Sequence, residues 1–188
     1  MTTIAAPTIL TPDEIARLSE QDGKLYEVHR GQLVEKPMST RANYVATRIA
    51  YQLMTTYTQT KAYIIVEQPT YCFQDPTDMR RPDVALVWAH RFPDGVDDDE
   101  LYIAPDLAVE VVSPTNTYID IDNRIEEYFS AGVPLIWVVN PVLRHVYAHS
   151  ADGPVAKFRQ NETIQDERLL PGLALSIATF FPDPPVKV

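Results

Sequence analysis

The stretch from Leu107 to Val139 constrains the fold of this chain more than any other part of the sequence. It begins with the apolar run LAVEVV, continues with a segment of helical periodicity from about Asp120 to Ala131, and ends with the apolar run LIWVV. Short apolar runs bounded by turn residues are typical of strands buried on both faces. Because strands joined through a helix pair in parallel by a right-handed crossover, the stretch predicts a sheet covered by helices.

The rest of the sequence adds helices and hairpins around this unit. Thr11 can cap a short helix, and a second helix that runs to about Thr58 carries an apolar stripe at helical spacing. Short strands on either side of turn residues predict hairpins at 25–35 and 144–159. This order of elements predicts an α/β fold with a mixed β-sheet flanked by helices and with additional β-hairpins.

Length and charge limit the classes of protein to consider. The 188 residues fit one domain, which we place at 11–181, between an N-terminal tail, 1–10, and a C-terminal tail, 182–188. The formal net charge of −10 argues against broad nonspecific binding to nucleic acid or anionic membranes. No apolar run is long enough to span a bilayer, and the first residues lack the features of a secretory signal, so we expect a cytoplasmic location. The single cysteine, Cys72, excludes an internal disulfide and a cysteine zinc cluster.

Two carboxylates stand out because they interrupt or adjoin predicted buried strands. Glu110 lies among the aliphatic residues of LAVEVV, and Asp83 directly precedes the apolar run VALVW. A buried carboxylate is destabilising unless it is paired or binds a metal. On neighbouring strands the two acids would form a hard oxygen site for Mg²⁺ or Mn²⁺, ions that activate water and offset charge on a phosphodiester. Alternatively, Glu110 pairs with an arginine and Asp83 is a turn residue.

Several motifs resemble those of a known family. The segments RPDVALVW and APDLAVEVVSPTN, with a D-x-x-x-R pattern before EEYFSAGVPLIWVVNP, resemble the Uma-two restriction endonuclease family of the PD-(D/E)XK nuclease-like superfamily. LYEVHRGQLVEKPMS and LLPGLALSIATFF extend the resemblance over about 11–181. The resemblance implies a restriction-endonuclease-like fold and a divalent-metal-dependent endonuclease that hydrolyses DNA.

The resemblance also implies which residues form the site. Asp83 and Glu110 would hold Mg²⁺ or Mn²⁺, helped by the backbone carbonyl of Val111. The superfamily places a lysine two residues after the glutamate, where this chain has Val112, and the family's displaced position on the following helix holds Arg124. Arginine stays charged and cannot act as a base, so Arg124 would act as a fixed cation. On this view a lysine at position 124 would raise nuclease activity.

Two further acids and four arginines are also candidates for the site or its surroundings. Glu27 matches a recurrent acid of the family, and it is either a third metal-side carboxylate, a partner of Arg124, or a hairpin residue paired with a nearby base. Asp120 lies one helical turn before Arg124. A local basic surface that reaches DNA is expected to include Arg41, Arg48, Arg80 and Arg81.

The sequence leaves two other functions open. A catalytically impaired module that keeps this fold and binds nucleic acid or protein is favoured by the missing lysine and opposed by the retained acids, which are costly without a ligand. A dimeric structural protein is the third possibility, because the predicted hairpins offer strand edges for a homodimer.

Overall fold

A six-stranded sheet with helices on both faces forms the centre of the protein. The computed structural model describes residues 10–37, 39–58, 61–92, 95, 100–113 and 116–181, so most of the predicted tails lies outside the described residues. Within these ranges the α-helices are α1 (Pro12–Asp22), α2 (Thr40–Thr56) and α3 (Tyr118–Ser130). The strands of the described residues are β1 (Leu25–His29), β2 (Gln32–Lys36), β3 (Ala62–Ile65), β4 (Val84–Trp88), β5 (Leu107–Val111), β6 (Leu135–Asn140), β7 (His145–Ser150), β8 (Ala156–Arg159), β9 (Thr163–Asp166) and β10 (Leu170–Ser176).

The main sheet is mixed, as the sequence predicts. Its strands lie in the order β3-β4-β5-β6-β7-β8. β5 and β6 pair in parallel, and α3 connects them, whereas the other neighbours in this sheet are antiparallel. The predicted α/β fold class is therefore confirmed. Among the described residues, no helix combines the length and the apolar character that crossing a membrane requires.

The two faces of β5 contact different helices. The apolar stripe of α2, including Val45, Ile49 and Leu53, packs in one core cluster with Val109 of β5. On the opposite face, Ala108 belongs to a cluster that contains α3 residues. Successive side chains of a strand alternate between faces, so Glu110 lies on the α3 side together with Ala108.

A hairpin that is separate from the main sheet completes the surroundings of Glu110. Strands β1 and β2 pair with each other as a two-stranded sheet, as the sequence predicts for 25–35. Arg30 and Gly31 at its turn both have positive φ, which is the geometry of a tight hairpin turn. Backbone hydrogen bonds of 2.8 and 2.9 Å between Val28 and Met79 attach the hairpin to the rest of the chain. This attachment brings β1 and β2 side chains close to β4 and β5.

Candidate active site

The structure brings Asp83 and Glu110 together on neighbouring strands. Strands β4 and β5 pair Val84 with Val109, and continuing this register by one residue sets Asp83 beside Glu110. Both acids are buried, with 7% and 6% of their surface exposed. The backbone N–H of Val111 donates to Asp83 Oδ2 over 2.6 Å, which fixes the Asp83 carboxylate next to the β5 backbone.

Glu110 is held from the side of α3. Tyr128 Oη donates to Glu110 Oε1 over 2.8 Å, and Arg124 Nη1 donates to the same oxygen over 3.3 Å. Burial raises the pKa of Glu110 to about 7, with Arg124 opposing the rise and Asp83 adding to it. A cation placed beside Glu110 would therefore favour the carboxylate form of this side chain.

Glu27 is a partner of Arg124, one of the alternatives left open by the sequence. Arg124 Nη1 and Nη2 donate to Glu27 Oε1 and Oε2 over 2.7 and 2.8 Å, a two-pronged contact. Glu27 also accepts from Arg80 Nη1 over 3.1 Å and from the backbone N–H of Arg81 over 2.9 Å. Burial alone would raise the pKa of Glu27, but the Arg124 and Lys36 cations outweigh burial and lower it to about 2.

Lys36, at the end of β2, is a site residue that the sequence reasoning missed. Its ammonium donates to Asp83 Oδ1 over 2.7 Å, to Glu67 Oε2 over 2.6 Å and to the carbonyl oxygen of Arg81 over 2.5 Å. The residue is 9% exposed. Burial lowers the pKa of Lys36, but the nearby carboxylates, Asp83 first among them, outweigh it and raise that pKa. A lysine thus reaches the carboxylates from a hairpin strand instead of from β5 or α3.

Glu67 is the second residue that the sequence reasoning missed. It follows β3 and has a φ of 53°, a left-handed conformation that side chains other than glycine rarely adopt. Its backbone carbonyl accepts a hydrogen bond of 2.9 Å from Arg81 Nη1. Burial raises the pKa of Glu67 to about 7, although the Lys36 ammonium acts in the opposite direction. Strained backbone of this kind is concentrated at functional sites.

Two predicted members of a basic surface lie inside the protein instead. Arg80 and Arg81 are each only 8% exposed, so the prediction that they form a DNA-reaching surface is wrong. Arg80 is held by Glu27 and by Glu127, over 2.5–3.1 Å, and Arg81 donates to backbone carbonyls. The partners of both arginines lie in distant parts of the chain, which a local reading of RRPD does not reveal.

Three other predicted residues lie apart from the carboxylates. Asp120 caps α3, where its Oδ2 accepts from the Thr117 backbone N–H over 2.9 Å, and it is exposed. Arg48 donates to the carbonyl oxygen of Thr179 over 3.0 Å. Arg41 is exposed on the first turn of α2. The hydrogen bonds of Asp120 in the structure go to Thr117, so its role is in the helix cap.

These contacts define what we call the charged cluster. Five of its members, all but Glu27, Arg80 and Arg81, line a small cavity of about 30 Å³, a space suited to a water molecule or a single ion. Polar side chains of Ser39, Asn43 and Asn116 also line this cavity. The charged cluster consists of Glu27, Lys36, Glu67, Arg80, Arg81, Asp83, Glu110 and Arg124.

The donor chemistry of the cluster suits a hard divalent cation. Carboxylates and a backbone carbonyl, such as those of Asp83, Glu110 and Val111, are ligands that Mg²⁺ and Mn²⁺ prefer. In the described part of the chain, no group of three or more His, Cys, Asp or Glu side chains is arranged to hold a metal ion. Both oxygens of Asp83 already accept hydrogen bonds from protein donors. A cation that used Asp83 would therefore compete with Lys36.

Comparisons with known proteins agree with this architecture. The model of the family described as "Uma2: Putative restriction endonuclease" matches residues 12–178. A crystal structure described as "a putative nuclease belonging to DUF820 from Anabaena variabilis" superposes with a TM-score of 0.76. The two chains are 20% identical, and the match covers 91% of this chain and 97% of that chain, which establishes a shared fold. No curated protein matches the sequence.

Proposed function

The chain belongs to the Uma2 family, described as restriction endonucleases, and from this premise we propose that it hydrolyses phosphodiester bonds of DNA with Mg²⁺ or Mn²⁺. The observation that carries the proposal is the placement of Asp83 and Glu110 side by side, buried, on adjacent strands. Two buried carboxylates are destabilising unless cations compensate their negative charge, as Lys36 and Arg124 do here and as a divalent ion would do. Paired carboxylates of this kind are the ligands that a hard divalent cation uses.

In the proposed site Asp83, Glu110 and the backbone carbonyl of Val111 hold the cation. The cation would activate the attacking water and offset negative charge on the phosphodiester. The Val111 N–H keeps the Asp83 carboxylate in place, and the Tyr128 hydroxyl does the same for Glu110. These contacts fix the positions of both carboxylates before any ligand arrives.

Arg124 supports the proposed site as a fixed cation. Its guanidinium donates two hydrogen bonds to Glu27. Nη1 also donates a longer hydrogen bond to Glu110. Since arginine stays protonated, it cannot take a proton from water. Its proposed role is therefore to orient Glu110 and to add positive charge near the scissile phosphate.

A plasmid-nicking assay tests the proposal. Wild type, Asp83→Asn and Glu110→Gln are incubated with supercoiled DNA in Mg²⁺ or Mn²⁺, beside Asp152→Asn as a matched control. Asp152 is an exposed acid that pairs with Arg168, and neither residue belongs to the charged cluster. We expect cleavage by wild type and Asp152→Asn, and a loss of about 100-fold or more in the two cluster variants. Equal cleavage by Asp83→Asn would contradict the assignment.

A second candidate function rests on a separate observation. Both Asp83 oxygens and one oxygen of Glu110 are satisfied by donors of the chain itself, without any ion. In a catalytically impaired module that binds nucleic acid or protein, these hydrogen bonds would stabilise the buried acids, and the module would need no metal ion. Binding of DNA by wild type without cleavage in either ion would favour the module over the endonuclease.

A further inference from the structure

We propose that Lys36 is a built-in occupant of the cation site, which a divalent ion must displace from Asp83 in order to bind. The inference rests on the proposed cation site at Asp83 and Glu110, and it assigns the metal-free state of that site to a side chain of this protein. Under this proposal, a residue of β2, a strand outside the main sheet, sets the affinity of the site for an ion.

The surroundings of the Lys36 ammonium are those of a bound cation. An ammonium has three N–H donors, and Lys36 places them on Asp83, Glu67 and the carbonyl oxygen of Arg81 over 2.5–2.7 Å. Two carboxylates and one backbone carbonyl are also the oxygen types that a hard divalent ion selects. The ammonium and the ion therefore compete for the same acceptor, Oδ1 of Asp83.

The charge balance of the cluster leads to the same conclusion. Counted together with Glu127, which pairs with Arg80, these groups are five acids and four bases, so their formal charge without an ion is −1. An added divalent ion would turn this into an excess of one positive charge in a largely buried region, which is unfavourable. Withdrawal of Lys36 from Asp83 reduces this excess. Glu67 lets the ammonium leave Asp83 and still keep a carboxylate partner. The acids are Glu27, Glu67, Asp83, Glu110 and Glu127, and the bases are Lys36, Arg80, Arg81 and Arg124.

Substitution of Lys36 separates this role from a merely structural one. Lys36→Met keeps most of the aliphatic stem and removes the ammonium, so Asp83 and Glu67 lose their compensating charge. A residue that only supports the fold would, on removal, weaken or leave unchanged the binding of an ion. A competitor, on removal, strengthens it.

Calorimetric titration of the metal-free protein with Mn²⁺ measures the difference. We expect Lys36→Met and the smaller change Lys36→Gln to bind Mn²⁺ at least about tenfold more tightly than wild type, which corresponds to about 1.4 kcal/mol. Lys24→Met is the matched control, since Lys24 lies beside the same hairpin and makes a 2.6 Å ion pair with Glu35 outside the cluster. Its Mn²⁺ affinity should equal that of wild type.

The fold of the variants is followed by circular dichroism in parallel. If Lys36→Met is unfolded without metal, recovery of its spectrum and of a cooperative melt on addition of Mn²⁺ supports competition. Mn²⁺ affinity in both Lys36 variants that is equal to or below that of wild type overturns the proposal, as does an unfolded variant that Mn²⁺ does not restore.

Plasmid cleavage by the same proteins separates this inference from the proposed function. An absence of cleavage in wild type and variants argues against the endonuclease, while tighter Mn²⁺ binding by the Lys36 variants still supports the competition. Cleavage by wild type together with unchanged Mn²⁺ affinity supports the endonuclease and overturns the role assigned to Lys36.

Discussion

Each carboxylate oxygen of Glu27 accepts two hydrogen bonds. Oε1 receives Arg124 Nη1 and the Arg81 backbone N–H, and Oε2 receives Arg124 Nη2 and Arg80 Nη1. An oxygen that already accepts two donors has little capacity left for a metal ion. Glu27 therefore acts as the anchor of the arginines, and through Arg124 it affects the position of Glu110.

We expect Glu27→Gln to destabilise the protein by about 3–5 kcal/mol at neutral pH, because it leaves buried arginines without their counter-charge. Glu35→Gln is the control, since Glu35 makes an exposed ion pair on the same hairpin that contributes about 0–1 kcal/mol. Urea unfolding of the three proteins gives the difference in the free energy of unfolding. Equal costs for the two substitutions would contradict the anchoring role.

The cost of Glu27→Gln should depend on pH. The pKa of Glu27 is lowered from 4.5 to about 2 in the folded protein, where the arginine and lysine cations outweigh burial. An acid with a lowered folded-state pKa contributes stability that is present above its unfolded value and lost as pH falls toward the folded value. The difference between wild type and Glu27→Gln is therefore largest at pH 6 and shrinks by pH 3. A difference that stays constant over this range would argue against the low pKa.

Arg124→Lys changes the number of contacts that Glu27 receives. One ammonium cannot reproduce the two-pronged contact, so we expect a loss of about 2 kcal/mol in the free energy of unfolding. Arg168→Lys is a matched control, because Arg168 makes the same two-pronged contact with Asp152 on the surface. The control should cost less than about 1 kcal/mol.

The activity of Arg124→Lys addresses a different question. The sequence-based expectation is that a lysine at this position raises nuclease activity, and the plasmid assay on the same preparation tests it. Lower cleavage by a folded Arg124→Lys protein would count against a displaced catalytic lysine on α3.

At the scale of elements, Asp120 caps the start of α3, whereas the sequence analysis proposed it as a residue of the site. Thr117 and Asp120 form a capping box, in which each side chain accepts from the backbone N–H of the other residue. Capping satisfies backbone N–H groups that a helix end leaves without partners. The cap thus helps to form the helix whose later turns carry Arg124 and Tyr128.

We expect Asp120→Ala to lower the free energy of unfolding by about 1 kcal/mol, since it removes a capping acid from the first helical turn. Its Mn²⁺ affinity should remain close to that of wild type, because the side-chain hydrogen bonds of Asp120 go to Thr117 at the start of the helix. Asp122→Ala, an exposed acid on the same helix, serves as the control. A marked loss of Mn²⁺ binding in Asp120→Ala would return this residue to the site.

The elements that the sequence predicts well are those with a local signal. The runs LAVEVV and LIWVV and the apolar stripe of α2 follow the periods of strand and helix, and the structure places them as predicted. Glu110 was found because a charge within an aliphatic strand is unusual. These readings succeed because strands buried on both faces are continuously apolar, whereas α2 buries one face at helical spacing.

Lys36 and Glu67 could not be found by such a reading. In β2, Val34 and Lys36 lie on the same face of the strand, yet the apolar Val34 is 47% exposed and Lys36 is buried, so burial in this strand does not follow residue polarity. The partners of Lys36 lie 31 and 47 residues away in sequence. Burial of these charges results from contacts between distant elements, which only the assembled fold supplies.

For the whole molecule, the charged cluster leaves the acidic balance of the surface almost unchanged, because it takes up acids as well as bases. The formal net charge of the chain is −10. DNA would therefore meet a surface that repels it except at local basic positions. The single domain at 11–181 and the homodimer stay predictions at this scale.

We expect DNA binding to be weak and to fall steeply with salt, because it depends on few phosphate contacts on an acidic protein. Arg41 lies next to Ala42, which lines the cavity at the charged cluster, so Arg41→Ala should reduce the dependence of log affinity on log salt by about one. Arg17→Ala, on the exposed side of α1, is the control. Fluorescence anisotropy with duplex DNA in Ca²⁺ measures both. Identical salt slopes for wild type and Arg41→Ala would remove Arg41 from the interface.

The attachment of the β1–β2 hairpin affects how often the charged cluster becomes exposed to solvent. A two-stranded hairpin is marginal by itself, and backbone hydrogen bonds between Val28 and Met79 join this one to the body of the protein. Sub-global opening of the hairpin would carry Glu27 and Lys36 away while the main sheet stays folded. Amide hydrogen exchange of β1 and β2 would then report a smaller opening free energy than that of β5 and β6. In that case the rates of ion binding and release would be set by local opening of the hairpin and not by global unfolding.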